Sequence, residues 1–240
     1  MFKADIYVIN DDGSGMQKIV ERAGADTSPQ WSPDGRLIAF VSNAEKNTWI
    51  SNWDICLVDP ENGSVRNISR DFDEFITRCH WSPDSRSLYF QANYRVTTQL
   101  FELSVDGGSA RKISSGDEVF SGFSFDQRMQ KMAFLVSGPQ HPNDVFVSDA
   151  RSFGPKRLTG VNSFLKEKAR TRMEVVTWKS KDGLEMEGVL MIPPEGIGRA
   201  PYPLLTYVHG GPSGKSAFSF SPQIGGSSPI QGESYPLHVL

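Results

Sequence analysis

The sequence predicts a mainly β chain, a partial β-propeller of about three and a half four-stranded blades, on the strength of two repeating elements. The first is Trp31-Ser32-Pro33-Asp34-Gly35, which returns as Trp81-Ser82-Pro83-Asp84-Ser85 after 50 residues. It returns again, worn down, as Phe123-Ser124-Phe125-Asp126-Gln127 after a further 42. The second is Asp5-Ile6-Tyr7-Val8, matched by Asp54-Ile55-Cys56-Leu57, by Gln99-Leu100-Phe101-Glu102 and by Asp144-Val145-Phe146-Val147. Self-similarity at a period near 45 residues is the mark of propeller blades.

Each element has a physical reading. Ser-Pro-Asp-Gly suits a type I turn: serine accepts locally, proline presets φ, and glycine fits the fourth position. It joins a strand ending at Trp31 to an apolar strand at Leu37–Val41. The second hairpin runs from Asp5–Ile9 through a glycine-rich loop to Met16–Val20. Its returning strand carries a polar-apolar pair in each copy: Lys18-Ile19, Asn67-Ile68, Lys112-Ile113 and Arg157-Leu158. Two hairpins make one blade, and blades bury their apolar residues against each other. Half a blade at the start of the chain leaves an open sector, to be closed by further blades or by an oligomeric partner.

Residues that recur at one register, Trp31, Trp81, Asp5, Asp54 and Asp144, are assigned structural roles. Trp49 and Trp53 fall outside the register, in a long connection from Asn43 to Asn52, and are expected to form a satellite hydrophobic cluster or a binding surface. The two cysteines, Cys56 and Cys79, sit in strand-like runs and are expected to be buried unpaired thiols. His80 and His141 lack metal-ligand spacing, so no metal or cofactor is expected. A net charge of −3 points away from nucleic acid and anionic membranes. The sequence starts without the apolar core of a signal peptide and has no run of ~20 apolar residues, which sets a cytoplasmic expectation.

The repeat ends near residue 160. Residues 161–173 are charged and read as a short helix or a linker. Glu174–Lys179 and Glu187–Ile192 read as a hairpin around Lys181-Asp182-Gly183. Leu204–Val208 reads as a buried strand that stops at His209-Gly210-Gly211-Pro212. A strand ending in a glycine pair is how an α/β-hydrolase builds half of its oxyanion hole, because glycine lets a backbone N–H approach the developing charge. The matching nucleophile elbow, Gly-x-Ser-x-Gly, is missing from the sequence. Ser234 sits in Gly-Glu-Ser-Tyr-Pro and its neighbour His238 follows across Pro236, without an orienting acid, so the pair is not read as catalytic. Residues 225–240 are turn-rich and expected to pack little.

The Trp-Ser-Pro-Asp repeats, the stretch Trp178–Gly188 and Tyr207-Val-His-Gly-Gly-Pro-Ser213, in this order, make the chain similar to the prolyl oligopeptidase family of serine peptidases, in its acylaminoacyl-peptidase and dipeptidyl-peptidase-like branch. The resemblance covers about residues 4–224. It implies a usually seven-bladed, TolB-like propeller followed by an α/β-hydrolase domain. It divides this chain into a partial propeller at 1–160, a linker at 161–173 and the truncated amino-terminal part of a hydrolase domain at 174–240. It implies that Gly211 donates its N–H to the oxyanion and that His209 and Gly210 shape the turn, while the nucleophile and the triad acid and base are none of this chain's residues. The implied substrate is a peptide or acyl-peptide. The alternative is a non-catalytic propeller module that binds a partner protein.

Overall fold

A computed structural model describes residues 3–43, 52–128, 130–164, 171–196, 198, 200–210 and 215–220. It contains sixteen strands, and no α-helix occurs among the described residues. The first fourteen fall into the repeat. An incomplete blade is formed by β1 (Ile6–Val8) and β2 (Gln17–Val20). The first full blade is β3 (Asp26–Trp31), β4 (Ile38–Ser42), β5 (Asp54–Val58) and β6 (Val65–Asn67), paired in that order. The second is β7 (Ile76–Trp81), β8 (Ser87–Tyr94), β9 (Thr97–Ser104) and β10 (Arg111–Lys112). The third is β11 (Val119–Phe125), β12 (Lys131–Gly138), β13 (His141–Asp149) and β14 (Lys156–Arg157). The hairpin β15 (Arg172–Lys179) and β16 (Glu185–Ile192) follows. β15 starts two residues before the position expected from sequence.

The chain forms two compact units, one of residues 1–93, 99–115 and 127–129, the other of 94–98, 116–126 and 130–240. In the first unit, the strands of the first full blade are covered on both faces. Ala39, Val41, Ile55 and Leu57 join a core with Leu88, Phe90, Phe101 and Leu103 of the second blade. Ile38, Phe40, Cys56 and Val58 face the other way, onto Ile6 and Val20. A strand buried on both sides reads as an unbroken apolar run rather than an alternation, which is why β4 is buried at every residue. In the second unit, β12 alternates, and Phe120, Phe134 and Phe153 meet at centroid separations of 5.6–5.8 Å.

The turn between the first two strands of a blade is built by side chains. Ser32 Oγ donates to Asp34 Oδ1 at 2.7 Å and accepts the Leu37 N–H at 3.0 Å. Ser82 Oγ donates to Asp84 at 2.7 Å and accepts the Ser87 N–H at 2.9 Å. These hydroxyl donations hold both aspartates below the usual carboxylate range. At the fourth turn position φ is +73° at Gly35 and +59° at Ser85, a left-handed conformation that costs serine more than glycine.

The third turn corrects the register read from sequence. Trp31 pairs with Ile38, Trp81 with Leu88 and Phe125 with Met132. The equivalent of the tryptophans is therefore Phe125, not Phe123, and Asp126 stands where Ser32 and Ser82 stand. Its carboxylate accepts the N–H groups of Gln130 at 2.6 Å and Lys131 at 2.8 Å, replacing the serine hydroxyl. Ser124-Phe125-Asp126 mimics Ser-Pro-Asp in letters but lies two residues out of phase, because a longer side chain performs the same hydrogen bonding.

The outer hairpins keep the register expected of them. Tyr7 pairs with Lys18, Cys56 with Asn67, Phe101 with Lys112 and Phe146 with Arg157. The preceding acid ties the two strands together: Asp5 to Lys18 at 3.2 Å, Asp54 to Asn67 at 3.1 Å, and Asp144 to Arg157. One residue beyond the pair, Ser69, Ser114 and Thr159 accept the N–H groups of Ile55, Leu100 and Val145 at 2.8–2.9 Å. Burial raises the Asp144 pKa, but Thr159, the Val161 N–H and Arg157 outweigh it and hold the carboxyl below its usual range. These residues are structural, as their periodicity predicts.

Trp81 is 5% exposed and donates its indole N–H to the Gln30 carbonyl of the preceding blade at 3.0 Å. Trp31 holds the same register but is 51% exposed, because only the outer strands β1 and β2 precede it among the described residues. Trp53 packs against the main core, as a satellite residue does. Trp49 lies outside the described residues. Both cysteines are free and buried. Burial pushes the Cys56 thiol up to about 11, with Arg22 pulling it back only in part, and the Cys79 thiol up to about 12.

Two outcomes follow from these contacts. Ser82→Ala removes a buried hydroxyl with three partners and is expected to cost ~1–3 kcal/mol, read as a lower urea midpoint at unchanged slope. A change within error would refute the turn's role. Neither thiol should react with a disulfide reagent at about pH 8 in the native protein, whereas both should react once it is denatured, since thiolate rather than thiol is the nucleophile. Rapid native labelling at Cys79 would contradict its burial.

Candidate functional site

The segment expected to carry the chemistry lies in the second unit. Leu204–Val208 is not a buried strand: it forms no strand among the described residues, and Leu204, Leu205 and Val208 are 78–81% exposed. A central strand of this apolar kind needs neighbours on both edges and a cover on both faces, and none of the described residues supplies them. His209 and Gly210 follow in a bend, both exposed, with His209 Nδ1 3.2 Å from the Gly210 carbonyl oxygen. Among the described residues, nothing lies within 4 Å of where a Gly210 side chain would begin. Gly211, the expected oxyanion donor, lies outside the described residues, as do Ser234 and His238.

His209 rims a cavity of about 310 Å³ together with Arg95, Glu185, Glu187, Lys215 and Ser216. Glu185 and Glu187 stand two apart on β16, so the pleat places both on one face. Arg95, at the tip of the β8–β9 hairpin, reaches both, at 3.2 Å and 2.7 Å. Lys215 donates to the Thr97 carbonyl and, at 2.8 Å, to Thr98 Oγ1. The Phe218 N–H donates to the Val96 carbonyl at 2.8 Å, and Phe220 is buried with its N–H on Ser137 Oγ at 3.2 Å. The rim can neutralise charge and hold backbone in place. Ser216, His209 and the two glutamates line the cavity, but among the described residues no hydrogen bond joins the serine to the histidine or the histidine to a glutamate.

The sequence singled out His209 and Gly210 but not Arg95, Glu185, Glu187 or Lys215. The period-2 spacing of the two glutamates was the available signal for a shared face. Arg95 and Lys215, 120 residues apart in sequence, are brought to one rim only by the fold. A second cavity, about 600 Å³, lies in the first unit between the 65–71 and 106–108 loops and includes none of the residues expected to act. Among the described residues, no group of three His, Cys, Asp or Glu could hold a metal, and no helix is long and apolar enough to cross a membrane.

Comparison with known proteins gives these arrangements a context. No family model matches the chain. It is 27% identical over 212 residues to dipeptidyl-peptidase 5 of Porphyromonas gingivalis, a match covering 87% of this chain and 31% of that protein. Among solved structures it is similar to the acylaminoacyl peptidase of Pyrococcus horikoshii, with a TM-score of 0.61 at 23% identity, over 79% of this chain and 28% of that one. It is also similar to the β-propeller domain of the Trilobed protease from Pyrococcus furiosus, with a TM-score of 0.51 at 20% identity, over 66% of this chain and 46% of that one. The chain spans about a third of the length of the curated relative. The likeness to a propeller domain agrees with the blades described above.

Because Leu204, Leu205 and Val208 lie in no strand among the described residues and are 78–81% exposed, their amides should exchange with solvent at close to unprotected rates, while those of β12 are strongly protected. Hydrogen exchange resolved at these residues checks this, and slow exchange at Leu205 and Val208 would show a strand pairing that the described residues lack.

Proposed function

We propose that this chain is part of a serine peptidase of the prolyl oligopeptidase family, acting on short peptides or acyl-peptides. It supplies blades of a propeller that restricts access and the first strands of the α/β-hydrolase domain. The observation that carries the reading is order: propeller blades, then the β15–β16 hairpin, then His209-Gly210-Gly211, in a chain related along 87% of its length to a dipeptidyl-peptidase. In the intact enzyme the Gly211 N–H would stabilise the tetrahedral oxyanion, His209 and Gly210 would shape its turn, and a serine with its histidine base would attack the carbonyl. No cofactor enters this chemistry. The protein works in the cytoplasm, without nucleic acid or membrane as a partner, and its open propeller sector is closed by further blades or by another subunit.

The alternative reading is a non-catalytic module that binds a partner through its propeller; these 240 residues contain no Gly-x-Ser-x-Gly. Either way this chain alone is expected to be inactive, since an oxyanion donor without a nucleophile forms no acyl-enzyme.

A fluorophosphonate probe should leave the purified 240-residue chain unlabelled, and chromogenic dipeptidyl and N-acyl peptides should stay intact. Stoichiometric labelling at any serine would overturn the assignment of the nucleophile elsewhere. Reading the encoding locus in all three frames beyond codon 224 separates the two functions. A continuation bearing the serine elbow, the acid and the histidine supports the peptidase, and its absence supports the binding module.

A further inference from the structure

We infer that the groove along the outer edge of β6 is a docking site for an extended acidic peptide segment, which adds to that edge as a further strand. The site lies wholly in the first unit and depends on neither reading of the hydrolase segment.

β6 ends the sheet order β3-β4-β5-β6, and no strand pairs with its outer side among the described residues. Its inward bonds come at alternate residues. The Asp59 N–H donates to the Ser64 carbonyl at 3.1 Å, and the Ile68 N–H to the Ile55 carbonyl at 3.0 Å. Antiparallel alternation then turns the backbone groups of Arg66 toward β5 and those of Val65 and Asn67 outward. An outward row of N–H and C=O groups is a template for another strand.

The cavity of about 600 Å³ runs beside this edge. Val65, Arg66, Asn67 and Ile68 all line it. Consecutive residues of a strand point to opposite faces, so a space that touches all four lies along the edge and not over one face. Its walls come from both faces. On one stands Arg22, over Phe40 of the core that β1 and β2 cover. On the other is the β9–β10 turn of the second blade, where φ is +86° at Gly107 and +102° at Gly108. A Cβ on Gly107 would stand 3.6 Å from the Ile68 carbonyl oxygen. Glycine keeps this wall free of side chains, so that a backbone can enter.

Charge selects the occupant. Arg22, Arg66 and Arg70 line the groove against two carboxylates, Asp71 and Asp106. Arg66 pairs with Leu57, which belongs to the core shared with the second blade, so its side chain leaves on the face opposite Arg22. An added strand alternates its side chains between the same two faces. Two successive carboxylates therefore meet one guanidinium each, a pairing that arginine's planar fork favours. Such strand addition draws affinity from the backbone and selectivity from the side chains. A cationic edge also repels its own copy, which leaves an anionic strand as the partner.

The test uses the 240-residue chain and a fluorescein-labelled peptide, Thr-Val-Glu-Glu-Val-Thr. Anisotropy should show saturable binding that weakens with added salt. The amides of Val65 and Asn67 should gain at least tenfold protection from hydrogen exchange. A peptide with Gln for each Glu, and one with Pro for each Val, should bind at least tenfold more weakly. Arg66→Glu should weaken binding to the same degree. Val65→Pro should abolish it, since it removes an outward N–H and spares the ladder to β5. If Val65→Pro lowers the urea midpoint, the exposed Arg66 still decides the matter through Arg66→Glu. Absence of saturable binding, or binding indifferent to Arg66→Glu, would overturn the proposal. So would binding without added protection at Val65 and Asn67, which marks a charge contact with no added strand. Self-association of the chain that Val65→Pro abolishes would overturn it too, by showing a second copy on this edge.

Discussion

The first full blade depends on burial of both faces of its sheet. Four short antiparallel strands present two apolar surfaces, and a lone sheet of this kind would expose both. The first full blade escapes this because Ala39, Val41, Ile55 and Leu57 lie against the second blade while Ile38, Phe40, Cys56 and Val58 lie against β1 and β2. Stability in such a stack is shared between neighbours rather than owned by one blade. The half-exposed Trp31 shows what happens where the neighbour is only partly present.

Polar groups then fix the strands that burial alone would let slip. Hydrophobic contact is non-directional, so it cannot by itself choose a register. The serine-aspartate turns choose it for the inner hairpins, and the acid-to-base ties choose it for the outer ones. Arg22 performs a related task in the first blade, where its guanidinium meets the buried Asp26 and Ser42 at 2.6 Å and lies over Phe40. Such buried polar sets are costly unless fully partnered, which is why they recur with their partners.

The segment Leu204–Gly210 obeys a different rule. Its apolar strand is written for a sheet interior, yet the described residues leave Leu204, Leu205 and Val208 in solvent. What holds the neighbourhood together is instead a set of charged and backbone contacts around the β8–β9 tip. Exposed ion pairs are weak singly, at ~0–1 kcal/mol, so their value here is in geometry more than in stability.

The sequence by itself determined the blades. A period near 45 residues, proline-aspartate turns and the acid-base register are local or strictly repeated, and repetition lets one copy confirm another. It also singled out His209-Gly210-Gly211, because an apolar run ending in paired glycines is a local signal; the structure places His209 on a cavity rim. Its failures came where letters and geometry part. Asp126 replaces a serine by reaching further, so the third turn sits two residues from its apparent match. Leu204–Val208 has a strand's composition, but pairing is a property of neighbours and not of the segment. Only the tertiary structure decided that Arg95, Glu187, His209 and Lys215 share one rim. No spacing in the chain encodes that meeting; it arises where a hairpin tip, a strand and two irregular segments far apart in sequence come together.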